Sequence, residues 1–339
     1  MAHGAEMNNR TWIVIVNYRT ADLAVDCLRS LAAQASDLAG GRVVVIDNAS
    51  GDDSVVKLQS AIEQHGWSTW AEVMPLDRNG GFAFGNNAGI RSALAAGDQI
   101  EYVMLLNPDT IVRAGAIRSL VDFMDAHPRA GIAGSLLENA EGGIDCSAHR
   151  IHSPLSELDG GARLGLLSRV LHRFVVSGHP RAEAHQCDWV SGASLIMRRA
   201  VLDDIGLMDE GYFLYFEEVD FCCQSKRVGW EVWYVPQSRV MHLEGAATGI
   251  RAVAKRRPKY WYDSRRRFFV KQYGVPGLVL SDLFWAMGRA TFLLRRLLRL
   301  GGGQPDHDPK WFMFDLLWGD LRAILTGQAW TIKHARKPS

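Results

Sequence analysis

Cysteine is scarce and unpatterned: Cys27, Cys146, Cys187, Cys222 and Cys223 make an odd five, with no C-x-x-C pair. That argues against a zinc or disulfide framework and for a reducing compartment. Charge of one sign is also lacking. The 38 basic and 37 acidic residues leave a formal net charge of +1, so there is no global basic field of the kind nucleic-acid binders use. No run of 18 uncharged apolar residues occurs, and no membrane-spanning helix is expected. Met1–Arg10 is polar and lacks the apolar core of a secretory signal. No internal repeat is present, and no G-x-G-x-x-G follows a strand, which counts against a Rossmann-type oxidoreductase.

What is present is a chain of 339 residues, 47% hydrophobic and 22% charged, ample for a large core and ordinary for a globular enzyme. Its first half alternates two periods. Trp12–Val16, Arg42–Asp47, Glu72–Leu76 and Tyr102–Leu106 read as strands, and Thr20–Gln34, Ser54–Gln64, Phe82–Ala96 and Ala114–His127 as helices. Asp52 and Asp53 are possible caps of the second helix. This alternation predicts an α/β fold, a mostly parallel sheet flanked by helices. The second half is less regular. Ile151–Gln186, rich in Gly, His and Arg, reads as an insertion or mobile loop. Asp188–Met197 resumes as a strand, followed by a helix at Glu217–Val228 and short strands at Glu231–Val235 and Arg239–Leu243. Lys255–Tyr273 and Leu278–Leu300 read as helices, then Gly301–Gly303 breaks the chain before a last aromatic segment, Trp311–Trp330.

In an open parallel sheet, ligands bind beyond the carboxyl ends of the strands. Polar residues gather at those ends: Asn17 and Tyr18, Asp47 and Asn48, Arg78, Asn79 and Gly80, and Asn107 and Asp109. Singly each is also a turn residue; on four successive strands they read as a nucleotide site. A carboxylate at Asp47 suits a base or ribose. The Gly-rich loop from Arg78 opens a helix, so its amides and Arg78 suit phosphate. Its glycines also fit close helix–strand packing. Asp109, delivered by Leu-Leu-Asn-Pro-Asp-Thr, suits Mg²⁺ or Mn²⁺ bridging two phosphates, and alone would equally be a capped turn. Glu217, Glu218 and Asp220 crowd three carboxylates into near-apolar sequence. That pattern raises a pKa towards that of a general base, or simply favours a helix N-terminus. His242 is either a metal ligand or a core histidine.

The ordered segments VIVNYRT, VVVIDNAS, DRNGGFAFGNNAG, LLNPDT, WVSGASLIMRR, GLMDEGYFLYFEEVDFC and VMHLEGAATG resemble glycosyltransferase family two, closest to its bacterial rhamnosyltransferase-like members. The match runs from about Trp12 to Gly249, with a recognisable extension from Tyr260 to Gly274. The resemblance implies a GT-A fold and inversion at the anomeric carbon. It implies that Asp47 holds the base or ribose and that Asp109, the last Asp of the family's D-x-D, binds Mg²⁺ or Mn²⁺. Asn107 stands in place of the first Asp. It also implies His242 as metal or diphosphate ligand, Glu218 as general base with Asp220 second, and Gly192 and Ala193 beside Trp189 on the acceptor side. Residues 10–250 would form the catalytic domain, with 10–135 the nucleotide-sugar half and 186–250 the acceptor half. The donor would be a dTDP- or UDP-linked sugar, dTDP-L-rhamnose first. The acceptor would be a glycan or polyprenyl-diphosphate-linked sugar of envelope polysaccharide synthesis. A scaffold that binds a nucleotide-sugar without catalysis is the non-enzymatic alternative.

Residues 251–339 read as a helical, membrane-associating extension. Arg251, Lys255, Arg256, Arg257, Lys259, Arg265, Arg266, Arg267 and Lys271 interleave with Tyr260, Trp261, Tyr262, Phe268 and Phe269, as at an anionic interface. In the next helix Asp282, Arg289, Arg296 and Arg299 take one side and Leu283, Met287, Leu294 and Leu298 the other. Trp285 and Phe292 fall towards the polar side. The expectation is a cytoplasmic protein, peripheral on the inner face of the membrane, without nucleic-acid partners. A helical cap or a homodimer interface is the other use of the same residues.

Overall fold

The computed structural model describes residues 10–34, 41–97, 99–178, 180–243, 256–300 and 308–332. Arg251, Lys255 and Gly301–Gly303 lie outside them, as does the end of the VMHLEGAATG segment. The chain forms two compact units: Met1–Ala148, His179–Phe213 and Glu217–Gly249, and His149–Gly178, Leu214–Phe216 and Ile250–Ser339.

The first unit opens with β1 (Thr11–Asn17), α1 (Ala21–Ala32), β2 (Arg42–Asp47), α2 (Ser54–Gln64), β3 (Ala71–Pro75) and α3 (Phe82–Ala95). Next come β4 (Tyr102–Leu106), β5 (Thr110–Val112), α4 (Ala116–Ala126), β6 (Ala130–Glu138) and β7 (Ile144–Asp145). The boundary strand β8 (Ala148–His149) leads into α5 (Pro154–Ala162) and α6 (Gly165–Val170) of the second unit. The first unit resumes with β9 (His185–Gln186), β10 (Trp189–Val190), β11 (Ser194–Arg198), α7 (Arg199–Ile205), α8 (Glu217–Arg227) and β12 (Glu231–His242).

Its sheet runs β3-β2-β1-β4-β11-β6-β12-β5. The β3–β2–β1–β4 half is parallel; β11 runs antiparallel to both neighbours, and β6 and β12 are again parallel. Alternate residues of β1 bury to opposite faces. Ile13 and Ile15 join Leu28, Leu31 and Met104, while Trp12, Val14 and Val16 join Ile90 and Phe221. Both faces are therefore covered, which is why these strands read as unbroken apolar runs. This is the α/β fold class that the resemblance implies.

Three readings change. β6 has no counterpart in the sequence reading because Ala-Gly-Ile-Ala-Gly carries little apolar bulk, yet the strand is buried throughout. The short strands at Glu231–Val235 and Arg239–Leu243 are one strand, β12, with a register shift where Pro236 interrupts pairing. The stretch 188–197 is two strands, parted at Ser191–Ala193.

In the second unit the supposed loop contains α5, started by a capping box in which Ser153 and Ser156 bond each other's amides, with Pro154 in the first turn. Its glycines are for packing. A Cβ on Gly161 would stand 2.5 Å from the carbonyl oxygen of Trp285, and one on Gly288 2.4 Å from that of Leu158. The two backbones therefore touch, and glycine there looks like loop composition. The long helix α9 (Lys259–Leu297) is broken at Gly274, whose φ is 72°, and α10 (Phe312–Leu325) follows.

Between Asp282 and Phe292 the polarity of α9 is the reverse of an interfacial helix with its charges in water, whereas Arg296 and Arg299 are exposed. Asp282 and Arg289 are buried, and so are Trp285 and Phe292, whereas Leu283, Met287, Leu294 and Leu298 are each more than half exposed. The aromatic residues that fell towards the polar side lie on the buried side. Arg265, 1% exposed, pairs with Glu157 (2.8 Å), Asp282 (2.9 Å) and Asp320 (3.1 Å), and Arg266 pairs with Asp320 and Asp263. Much of the basic–aromatic segment thus holds the unit together and is not presented to an anionic surface. By length and composition α9 is apolar enough to cross a bilayer, against the expectation that no helix is; one third of its apolar window is buried within the protein.

Candidate active site

The site is assembled entirely within the first unit. Asn17 and Asp47 end adjacent parallel strands and are partners in register. Asn17 donates to Asp47 Oδ1 at 2.8 Å and accepts from the amide and hydroxyl of Thr20. Ser50 bonds both carboxylate oxygens of Asp47, through its hydroxyl at 2.6 Å and its amide at 3.0 Å. Asn17, a candidate donor contact, is thus a brace for Asp47, and Ser50, which the sequence analysis did not single out, is a second. Tyr18 is exposed, with the Arg19 guanidinium 5.2 Å from its ring centroid.

Asn48 sews down the glycine loop, donating to Asn79 Oδ1 and the Gly81 carbonyl, both at 3.0 Å, and accepting from the Gly80 amide. Gly81 has φ +90°, and a Cβ there would meet the Phe213 carbonyl oxygen at 2.0 Å. The same carbonyl accepts from the Phe82 amide at 2.7 Å, so the loop is fixed at the head of α3. Arg78 stays exposed, its guanidinium 4.3 Å from the centroid of Phe84.

Beyond β4 the chain turns through Asn107 and Asp109 into β5, which pairs antiparallel with β12 and sets His242 opposite Thr110. His242 Nε2 then lies 3.3 Å from Asp109 Oδ1 and 3.3 Å from Asn107 Nδ2. Asn107 Oδ1 and His242 Nδ1 are buried without hydrogen-bond partners. Among the described residues no group of three His, Cys, Asp or Glu converges. The donor set is two such residues and a carboxamide, whose oxygen and nitrogen exchange places by a half-turn about the Cβ–Cγ bond. Oxygen and imidazole donors that leave room for phosphate and water fit Mg²⁺ or Mn²⁺.

The Asn107 amide donates to the Ala193 carbonyl at 3.0 Å, tying this turn to the Ser191–Ala193 gap. On the other side of the gap lies α8. A Cβ on Gly192 would stand 3.4 Å from Phe82 Cε1 and 3.7 Å from Glu218 Cβ. Trp189, on β10, is half-buried. One short loop therefore touches the Asp109 turn through Ala193 and lies beside Glu218 and Phe82 through Gly192.

The three acids differ. Asp220 is buried and accepts from Gln224 at 2.9 Å, a bond along the helix that occupies it. Glu217 is also buried. Glu218 is half-buried, and its Oε2 has no hydrogen-bond partner. Burial pushes its pKa up to about 7, while amides at the start of α8 pull the other way. The two residues before the helix, Tyr215 and Phe216, hold φ of 74° and 70°. For side chains of that size this is strained backbone, about 1–3 kcal/mol each, of the kind retained beside functional groups.

Sequence and structure comparisons bear on the family and the fold. Residues 12–206, more than half of the chain, match the model of glycosyl transferase family 2. The chain is 29% identical over 218 residues to an N-acetylglucosaminyl-diphospho-decaprenol L-rhamnosyltransferase of Mycobacterium tuberculosis, covering 61% of this chain and 68% of the relative. It is 24% identical over 281 residues to a dTDP-rhamnosyl transferase, RfbF, of Shigella flexneri, covering 81% and 84%. The crystal structure of GalNAc-T7 with UDP, GalNAc and Mn²⁺ superposes with a TM-score of 0.54 at 14% identity, over 94% of this chain and 58% of that longer one. That likeness establishes the fold. The protein is a member of glycosyl transferase family 2 with a GT-A fold.

Proposed function

We propose that this enzyme transfers L-rhamnose from dTDP-L-rhamnose, with inversion, to a polyprenyl-diphosphate-linked acceptor at the inner face of the cytoplasmic membrane. One observation carries the reading. The partnerless atoms of Asn107 and His242 lie beside Asp109, in the turn that bonds Ala193, and Glu218, with its orphan oxygen, lies beside the adjoining Gly192. That nearness supports reading them as a leaving-group site and a base site.

Asp47 uses its carboxylate on Asn17 and Ser50 and keeps acceptor capacity on Oδ2 for a ribose hydroxyl or base N–H. Arg78, free of any carboxylate among the described residues, is available to the diphosphate. Asp109, His242 and Asn107 would hold the cation. When bound, Mg²⁺ or Mn²⁺ neutralises charge that develops on the leaving diphosphate. Glu218, ionising near neutrality, takes the proton of the acceptor hydroxyl as it attacks the opposite face of the sugar. Gly192 leaves room for that hydroxyl between Phe82 and Glu218.

Rhamnose and a diphospho-polyprenol are favoured by the names of the mycobacterial and Shigella relatives. A UDP-hexose donor is the second reading, favoured by the UDP in the GalNAc-T7 structure. The membrane part rests on the apolar stripe of α9, through Leu283, Met287 and Leu294, and the exposed Phe314 and Trp318 of α10. A helix that pairs Asp282 and Arg289 inside and turns an apolar stripe outward suits the interfacial plane. Asp282 and Arg289 within the apolar window, both ion-paired, argue against a span.

Melting curves of the full chain with dTDP, dTDP-L-rhamnose, UDP and UDP-hexoses, with and without Mn²⁺, test the donor. The dTDP compounds should raise the melting temperature by mass action, more so with Mn²⁺. A shift with UDP-sugars alone overturns the choice of donor.

A further inference from the structure

The head of α9 carries cations of three kinds. Arg256 is bridged to Asp315 at 2.7 Å and Lys259 to Asp263 at 2.5 Å. Arg265 and Arg266 lie in the buried acid cluster described above. Arg257 stands apart: among the described residues it has no carboxylate partner within ion-pair distance, and its Nε is buried without a hydrogen bond.

Arg257 is seated on aromatic rings instead. Its guanidinium carbon lies 4.5 Å from the centroid of Trp261 and 5.6 Å from that of Phe312. Stacking on rings fixes the plane of a guanidinium and leaves its outer N–H groups unspent. The nearby acids are already occupied: Asp308 pairs with Arg289 at 3.1 Å and with Arg163, and Asp315 pairs with Arg256.

Tyr262 supplies an independent observation. Its side chain is 4% exposed, it shares the ring of Phe312 at 5.7 Å, and its hydroxyl is buried with no partner. A buried phenol without a partner is costly unless a ligand completes it. Arg257 is close enough to oppose the rise that burial causes in the pKa of Tyr262.

We propose that Arg257 and Tyr262, on the platform of Trp261 and Phe312, bind a lipid-borne phosphate ester. Its source is either the diphosphate of the polyprenyl acceptor, an assignment that rests on the function proposed above, or the headgroup of an anionic phospholipid. Guanidinium and phenol donors on an aromatic floor match a phosphate whose lipid chain continues over apolar surface.

The test uses the full chain in excess chelator, so that metal-dependent donor binding is silent. Farnesyl diphosphate is titrated calorimetrically. Binding to phosphatidylcholine vesicles, with and without one third phosphatidylglycerol, is measured by sedimentation. Arg257→Gln should weaken farnesyl diphosphate at least about tenfold, and Tyr262→Phe, which keeps the ring, about threefold to tenfold. Loss for farnesyl diphosphate alone identifies the acceptor, and loss only for phosphatidylglycerol vesicles identifies the headgroup; either supports the site. Unchanged binding of both probes by both variants, or no binding by the wild type, overturns it. A wild type that binds farnesyl diphosphate through Arg257 yet transfers no sugar retains this site and overturns the transferase reading instead.

Discussion

His242 Nε2 lies 3.3 Å from Asp109 Oδ1 because β12 runs antiparallel to β5 and pairs His242 with Thr110. The contact is set by sheet register, so neither side chain needs metal to hold its place. Asp109→Ala and His242→Ala should fold normally, abolish the Mn²⁺-dependent part of the dTDP melting shift and lower transfer by about 10²–10³ or more, several kcal/mol of lost charge stabilisation. Full activity of the wild type in excess chelator would contradict this.

Gly192 separates Phe82 from Glu218. An added Cβ would lie at 3.4–3.7 Å from both, in ordinary contact, so Gly192→Ala should be tolerated. Gly192→Val places further methyls into that space. Its kcat/KM for acceptor should fall more than about tenfold while dTDP affinity holds, since the loss falls on acceptor fit. Equal kinetics for the valine variant would remove Gly192 from the acceptor side.

Glu218, pushed up to about 7, must ionise to act as base. Acceptor kcat/KM should therefore rise about tenfold per pH unit below neutrality and level off above it. Stability runs the other way. The folded chain keeps the Glu218 proton up to about pH 7, whereas the unfolded chain releases it near 4, so this group's contribution is lost as pH rises between those values. Chemical denaturation of Glu218→Gln should show a flatter pH dependence across that window. The same slope in wild type and variant would refute the raised pKa.

The outward apolar stripe calls for surface variants in preference to truncation. Deleting the segment from Leu278 onward removes Asp282 and Asp320, two of the three carboxylates described around buried Arg265, and leaves it with Glu157, so truncation disturbs the unit itself. Leu283→Gln, Leu294→Gln and Trp318→Gln together should cut vesicle binding at least about tenfold with little change in melting temperature, because each side chain is more than half exposed. Undiminished vesicle binding with loss of a dimer in sedimentation would assign the stripe to a second copy of the chain.

The strands and helices before residue 128 were legible because their periodicity and Gly, Asp and Asn punctuation are local. β6 was not, since small residues hide a strand that is buried by its neighbours. Periodicity showed that α9 has two faces but could not say which is inside; that depends on Arg265 and Asp320, distant in sequence. The cluster from Asp47 to Asp109 was visible through strand ends, whereas the bracing roles of Asn17 and Ser50, and the nearness of Phe82 to Gly192, need the fold. Glu218 stood among three acids in sequence; its half-buried setting, against the buried Glu217 and Asp220, sets it apart only in three dimensions.

The proposed reaction is transfer of a deoxyhexose by the Asp109 and Glu218 machinery. Its direct test incubates the full chain with dTDP-L-rhamnose, Mn²⁺ and N-acetylglucosaminyl-diphospho-polyprenol, following dTDP release and the anomeric configuration of the product. The prediction is one dTDP per rhamnosylated lipid, with configuration opposite to the donor's, and a kcat lowered about 10²–10⁴-fold in Glu218→Gln with donor affinity nearly unchanged. Binding of dTDP-L-rhamnose without transfer, or wild-type turnover by Glu218→Gln, would contradict it.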